Sequence, residues 1–419
     1  MKIIIAHYKY YLQGGPEMYM QKFTKMAEEH GHTVIPFSVN YPQNIDSEYK
    51  EYFVSPISKS STGFYNTTKL TLHGIIKGAW NEFHNNEACK KLKKLIHDKQ
   101  PDLLYVLIPG ELSPDIFRVA KKARIPVIMR FSDFRLLCGK MVLLRSEAIC
   151  EECIHGDYRC MVKHSCVHDS KILSVLRMMS LTYHRKQGSY KYVDAVIAPS
   201  KFTGEKFIES GYFPKDKVFI NPTFIDCSNF NLHYEHNIYV LCLGRFSPEK
   251  GFIYVIESMR YLKDLPVTTV ITGDWRSCDA KLKEVIEKFD LKDKVRFVGF
   301  LHGEELERMT KEAMCVACPS IWYENLPNVV IESFAYGKPV IASNFGSLAD
   351  MVENGKTGLL FEPRNVEQIA SCIRKLFENS DLCRELGENA RKKAETEYSP
   401  TLHWQTFMNI YNSILKFSS

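Results

Sequence analysis

The 419-residue sequence contains no 18-residue apolar run, which excludes a helix able to span a bilayer. It contains no Asp-x-Asp pair, so a familiar close spacing for two carboxylates that share a divalent cation is missing. Tandem repeats and low-complexity tracts are absent too, which excludes repeat architectures. Charge of one sign is in small excess only. A formal balance of +6 is too mild to mark a nucleic-acid binder. The opening residues, Met1-Lys2-Ile3-Ile4-Ile5-Ala6-His7, lack the basic-then-apolar design of a secretory leader and read as a short strand. A cytoplasmic location is therefore expected, where the thirteen cysteines would be mostly reduced.

What is present is ordinary globular material, 45% hydrophobic and 25% charged, in a chain long enough for two α/β domains. Short apolar strands alternate with amphipathic helices. A first series places strands at residues 2–6, 32–36, 103–108, 127–129, 195–198 and 218–221, with helices such as 17–30 and 85–99. A second places strands at 238–243, 267–272, 295–297, 314–317, 339–341 and 358–361. Its helices are expected at 254–262, 278–289, 304–310, 328–336 and 366–378. Such alternation predicts an α/β protein of two Rossmann-like, parallel-sheet domains. The first spans residues 1–222 and the second 237–399, with the polar stretch 221–237 as linker. Residues 400–419 read as an aromatic, amphipathic closing helix that packs back across the boundary. Open parallel sheets bind ligands beyond the carboxyl ends of their strands, so a shared crevice is expected.

The strand at 238–243 ends in Gly244-Arg245-Phe246-Ser247-Pro248-Glu249-Lys250-Gly251. Gly244 lets a ligand approach the backbone, and Arg245 and Lys250 bring two cations suited to phosphate. Two surface charges in a turn would give the same residues. The next element, Pro319-Ser320-Ile321-Trp322-Tyr323-Glu324-Asn325-Leu326-Pro327-Asn328, lies between a strand and an apolar helix. Its end would present backbone N–H groups at a helix N-terminus, an anion site suited to a pyrophosphate. Glu324 would sit at the mouth near a sugar. Glu332, inside the apolar run 329–334, would accept from ribose hydroxyls.

In order and spacing these pieces resemble glycosyltransferase family 4, whose members are retaining enzymes of the GT-B fold. The residues that carry the resemblance are Gly244-Arg245-Phe246, Lys250-Gly251, Gly273, Val298-Gly299-Phe300, Pro319-Ser320, Glu324 with Glu332, and residues 335–342, Ala-Tyr-Gly-Lys-Pro-Val-Ile-Ala. The match is specific in the C-terminal half and looser before it. The resemblance implies that Arg245 and Lys250 neutralise the donor diphosphate, Glu332 holds the ribose and Glu324 contacts the donor sugar. It also implies that Asn325, Leu326, Pro327 and Asn328 line sugar and phosphate, that Gly299, Phe300 and Leu301 lie by the base, and that Gly273 and Asp274 close a wall. With no Asp-x-Asp pair, Arg245 and Lys250 would do electrostatically what a divalent metal does elsewhere, so catalysis is expected to need no metal.

On the other side, Gln13-Gly14-Gly15-Pro16-Glu17 follows the first strand. It serves as a helix start, with Pro16 in the first turn and Glu17 favourable to the dipole. By the resemblance, Gly14 and Gly15 would face the donor phosphate. Many family members carry a histidine after the fourth strand, where this chain has Ser132 and then Asp133. Asp133 becomes the candidate to orient the acceptor hydroxyl or take its proton; the alternative is a loop carboxylate paired with Arg135.

Cysteines crowd residues 138–169 in the pattern Cys138-x11-Cys150-x2-Cys153-x6-Cys160-x5-Cys166, with His155, His164 and His168 nearby. The Cys-x2-Cys knuckle has the spacing of a structural zinc site. A subset of family 4 carries a similar insert, and Cys138, Cys150, Cys153 and Cys166 match its pattern, leaving Cys160 extra. The insert looks too poor in apolar residues to build its own core, and a metal would fold it. Reduced thiols and a disulfide pair remain as alternatives.

The expected partners are a UDP- or GDP-linked sugar and a glycan or lipid-linked glycan, with no nucleic acid. The basic clusters Lys90-Lys91-Leu92-Lys93-Lys94 and Arg185-Lys186 are either solvated helix faces or a peripheral attraction to an anionic bilayer. Rival activities are another enzyme of the same fold, such as a sugar-nucleotide epimerase or a phosphorylase, and a non-catalytic binder built on the cysteine knuckle.

Overall fold

The computed structural model describes residues 1–57, 72–272 and 280–416. The chain forms two units. One comprises Met1–Leu143, Cys150–Asn221 and Trp404–Ser419, the other Leu144–Ile149 and Pro222–His403.

The strands run β1 (Lys2–His7), β2 (Thr33–Phe37), β3 (Leu103–Ile108), β4 (Val127–Arg130), the hairpin β5 (Leu144–Arg145) and β6 (Ala148–Ile149), β7 (Ala195–Ala198) and β8 (Val218–Ile220). The helices among them are α1 (Gly15–Glu29), α2 (Leu72–Asn81), α3 (Asn86–Lys99), α4 (Asp115–Lys122), α5 (Arg159–Lys163), α6 (Lys171–Gln187) and α7 (Lys201–Glu209). The first unit's sheet has the order β2-β1-β3-β4-β7-β8, all neighbours parallel. β3 and β4 are buried along their whole length, as strands covered by helices on both faces must be. Local signals set several helix starts: Asn85, Ser170 and Ser200 each accept a backbone N–H of the first turn of α3, α6 and α7.

The second series continues with β9 (Tyr239–Cys242), β10 (Thr268–Ile271), β11 (Val295–Phe297), β12 (Cys315–Cys318), β13 (Val340–Ser343) and β14 (Gly358–Phe361). Its helices are α8 (Phe252–Ser258), α9 (Ala280–Lys288), α10 (Gly303–Lys311), α11 (Asn328–Ala335), α12 (Gly346–Met351), α13 (Val366–Glu378) and α14 (Ser380–Glu397), and α15 (Pro400–Lys416) closes the chain. The sheet order is β11-β10-β9-β12-β13-β14, again fully parallel. Strand alternation splits the core. Val240, Cys242, Ile271 and Ala317 join Val255 of α8 and Ile369 of α13 on one face. Leu241, Val270, Val316 and Cys318 join Val330 and Phe334 of α11 and Ala390 of α14 on the other.

Three expectations need correction. The stretch 221–237 is no free linker: the Ile225 N–H donates to the Tyr398 carbonyl at 2.8 Å, and the Arg391 guanidinium donates to the Cys227 and Phe230 carbonyls at 3.0 and 2.8 Å. Those bonds tie it to the chain that follows, and Pro222–His403 is counted as one stretch of the second unit. The helix expected over 254–262 is α8, which ends at Ser258 and tightens into a single 3-10 turn at Met259–Leu262. The cysteine-rich insert is also not starved of apolar contacts. Leu143, Ile154, Tyr158, Met161 and Val167 are buried. Tyr158 and Met161 cluster with Leu181 of α6, and Cys153, Cys166 and Met178 pack against them. The insert borrows its core from a helix outside it, which a residue count within 139–169 cannot show.

The last helix begins in the second unit, and from Trp404 onward it is counted with the first. There Phe407 meets the rings of Phe23 and Tyr105 at 4.8 and 5.1 Å. No helix among the described residues is long and apolar enough to cross a membrane.

Candidate active site

The second sheet changes direction of winding between β9 and β12, which are hydrogen-bonded neighbours. Loops leaving the carboxyl ends of such a pair diverge and open a crevice. Here they are also pinned together at one point. Gly251 has φ +69°, and a Cβ on it would lie 2.0 Å from the Pro319 carbonyl oxygen. Only glycine allows that approach. Two residues further, the Ile321 N–H donates to the Glu249 carbonyl at 2.9 Å.

The pinned loops bring Lys250 to Glu324. The Lys250 ammonium donates to Glu324 Oε1 at 2.7 Å, the Ser320 hydroxyl to the same oxygen at 2.7 Å, and the Trp322 indole N–H at 2.8 Å. Glu324 Oε2 accepts no hydrogen bond from the described residues. Ser347 Oγ donates to the Glu324 backbone carbonyl at 2.6 Å, fixing the loop from below. Lys250 also stands 5.6 Å from the Trp322 ring. Three charge-assisted donors on one oxygen hold the carboxylate in a single orientation, with its second oxygen available.

Beyond Glu324 the loop feeds α11. Pro327 caps it in an extended conformation and Asn328 is its first residue, so the positive end of the helix faces this loop. Glu332 lies in its second turn and is half-buried. Asn325 and Leu326 are half-buried and Pro327 is buried. The structure thus gathers Lys250, Glu324 and the α11 N-terminus. It leaves Arg245 outside that group: its side chain is 76% exposed, 3.9 Å from Glu249. Gly244, at φ +132°, precedes it in an exposed turn. Phe300 is exposed, whereas Leu301 is buried among Val270 and Val316 in the core, so its side chain faces away from solvent. Gly273 and Asp274 lie outside the described residues.

In the first unit, Gly14 and Gly15 start α1. Gly14 is extended at φ −158°, a conformation open to any residue, and a Cβ on Gly15 would meet nothing within 4 Å. The fold itself therefore asks for no glycine at Gly15, and the space above it is open. Beneath the turn, His7 Nε2 and Glu17 Oε1 are 3.0 Å apart and both side chains are buried. Burial, with Arg135 and Lys9 adding to it, lowers the His7 pKa against the hydrogen bond and charge of Glu17. Nothing in the sequence distinguished this pair. Asp133 is held by Arg135, whose guanidinium reaches Oδ1 at 2.8 Å and Oδ2 at 2.6 Å. Ser132 Oγ is 3.4 Å from the Leu107 carbonyl. Close by, a cavity of about 100 Å³ is lined by Tyr8, Glu111, Arg135, Arg177, His184 and Tyr190. Arg177 is paired with Glu82 at 2.8 Å, a buried contact the sequence did not announce.

The insert cysteines Cys138, Cys150, Cys153, Cys160 and Cys166 are free thiols. Burial, then the neighbouring thiols of the other four, push Cys153 up to about 12. They gather around Cys153, yet among the described residues no three His, Cys, Asp or Glu side chains converge to hold a metal ion.

Residues 226–393 match the family model for glycosyl transferases group 1. The chain is 28% identical over 262 residues to an uncharacterized glycosyltransferase of Methanocaldococcus jannaschii, covering 58% of this chain and 64% of that one. Across three curated relatives the matched part is 45% to 64% of their length. A glycosyltransferase structure from Rickettsia africae superposes with a TM-score of 0.69 at 19% identity, over 99% of this chain and 98% of that one. Anabaena HepE, solved in complex with UDP, gives 0.64 at 17% identity over 99% and 100%. At such identities the two structures establish a shared fold of two parallel-sheet domains.

Proposed function

We propose, from the premise that residues 226–393 form a glycosyl transferases group 1 domain, that this chain is a glycosyltransferase that draws its sugar from a nucleoside diphosphate donor. One observation carries the proposal: at the switch point of the second sheet, Lys250, a Glu324 carboxylate with one oxygen to spare, and the N-terminus of α11 share a loop pair. A cation and a helix N-terminus together receive a diphosphate, and a fixed carboxylate oxygen receives sugar hydroxyls. The Methanocaldococcus jannaschii relative and the Rickettsia africae structure are named as glycosyltransferases, and the UDP held by Anabaena HepE is a nucleotide of the expected kind. Nothing in the geometry favours an epimerase, a phosphorylase or a knuckle-type binder.

In the proposed reaction the donor is a UDP- or GDP-linked sugar and the acceptor a glycan or lipid-linked glycan. Lys250 and the first turn of α11 stabilise the charge that grows on the departing diphosphate, and Arg245 swings in from solvent to add a second cation. Glu324 orients the donor sugar and Glu332 the ribose. Because both Asp133 oxygens are engaged by Arg135, the acceptor proton is assigned to the leaving phosphate in a retaining, front-face transfer. In the first unit, the Gly14-Gly15 turn offers open backbone to a ligand. Among the described residues the insert thiols form no group of three that could hold a metal ion, and no step is routed through them.

The test is release of nucleoside diphosphate from a panel of UDP- and GDP-sugars with a glycan acceptor. Lys250→Ala and Glu324→Gln should each lower kcat by about a hundredfold or more, the loss typical when one transition-state donor or its orienting partner is removed. A chelator should leave the wild-type rate unchanged. Wild-type turnover in either variant would refute the assignment, and product of inverted anomeric configuration would refute retention alone.

A further inference from the structure

Two neighbouring helices of the first unit turn apolar side chains outward. On α6 the solvent face carries Ile172, Val175 and Met179, spaced by three and four residues, with Ile172 82% exposed and Met179 52%. On α2 it carries Ile76 and Trp80, 61% and 60% exposed. The inner face of α6 is spent on the residue that follows α2: Arg177 pairs with Glu82, and Ser180 and His184 donate to the Glu82 carbonyl at 3.0 and 2.7 Å. A chain of tilted and edge-on ring contacts runs from one helix to the other. Trp80 lies 6.2 Å from His84, and His84 lies 5.3 Å from Tyr183, one turn beyond Met179. A folded protein seldom leaves a tryptophan and four other apolar side chains in water without a use for them.

The charged side chains on the two helices themselves are all basic. Neither the ten residues of α2 nor the seventeen of α6 include an Asp or Glu. α6 carries Lys171, Arg177, Arg185 and Lys186, of which Lys171 and Lys186 are exposed, and α2 carries Lys77. Nearby carboxylates are taken: Glu82 by Arg177, and Asp115 by His84 at 2.8 Å. Asp169, just before the Ser170 cap, is an exposed carboxylate at the rim. The lysine-rich segment of α3 behaves differently, since Lys91 and Lys94 are bound to Glu51 and Lys94 also to Asp98.

We infer that the outward face of α2 and α6 is a docking surface for an anionic lipid bilayer. Aliphatic side chains and a tryptophan enter the headgroup boundary, while lysines without acidic neighbours on their helices meet lipid phosphates. This inference stands apart from the transferase reading, and its test reads no activity. The whole chain is floated with vesicles of phosphatidylcholine alone and of phosphatidylcholine with phosphatidylglycerol. Binding should appear with the anionic vesicles and weaken as salt is raised. The variant Ile76→Gln, Trp80→Gln, Ile172→Gln, Met179→Gln should lose at least about tenfold in partitioning, with an unchanged Tm because these side chains are exposed. Lys171→Glu with Lys186→Glu is a second variant that leaves the apolar residues in place, and it should also weaken binding. Equal binding to neutral and anionic vesicles, undiminished binding by both variants, or a dimer in solution that the apolar variant dissociates would each overturn the proposal.

Discussion

Glu324 shows how three small donors can prepare one carboxylate for a ligand. Lys250, Ser320 and Trp322 all bond Oε1, and the geometry exists only because Gly251 lets its loop touch the Pro319 carbonyl. Gly251→Ala must force the two loops apart while holding a positive φ, so it should destabilise the second unit by about 2 kcal/mol or more and weaken nucleotide-sugar binding. Thermal melts with and without donor check this; an unchanged melt and unchanged donor response would contradict it. At this scale the sequence was informative where residues are close along the chain or belong to a familiar loop. It marked Lys250, Glu324 and Gly251, but it ranked Arg245 beside Lys250, whereas Arg245 is solvent-facing. It missed His7 with Glu17 and Arg177 with Glu82, because each member has an ordinary local reading and only tertiary packing pairs them.

Elements were legible when their patterns were complete in themselves. β3, with six consecutive buried residues, and α13, opened by an Asn365 cap, follow from local rules. The insert did not, since its core is half supplied by α6. Met161 has no exposed surface there. Met161→Ala should therefore cost about 2–5 kcal/mol, as loss of a buried Met side chain generally does. A chelator should leave the wild-type Tm where it is, because apolar packing organises the insert. A large drop in Tm on chelation would contradict that and would bring the cysteine spacing back as a metal site.

At the scale of the whole molecule, each unit is a parallel sheet with its switch point at the strand that opens it, and both sets of glycine-bearing loops leave from there. Alternating strands and helices were enough to read that class. They were not enough to place the boundary, because residues 222–237 have no regular pattern and are held by bonds to Tyr398 and Arg391, far along the chain. The stability of the first unit should depend on acid through His7. Burial lowers its pKa in the fold from an ordinary value of 6.5; Glu17 opposes that shift, and Arg135 and Lys9 add to it. Below that value the unfolded chain takes the proton first, so stability should fall as pH drops under about 6.5. His7→Asn should flatten that part of a Tm-against-pH curve, and an identical curve would contradict it.

The central claim is that the β9 and β12 loops hold a nucleoside diphosphate sugar, and a thermal-shift panel tests it most directly. A ligand that binds only the folded state raises Tm. At least one UDP- or GDP-sugar should raise the Tm of the wild-type chain, and the rise should vanish in Lys250→Ala. A flat response of the wild type to every donor would contradict the claim.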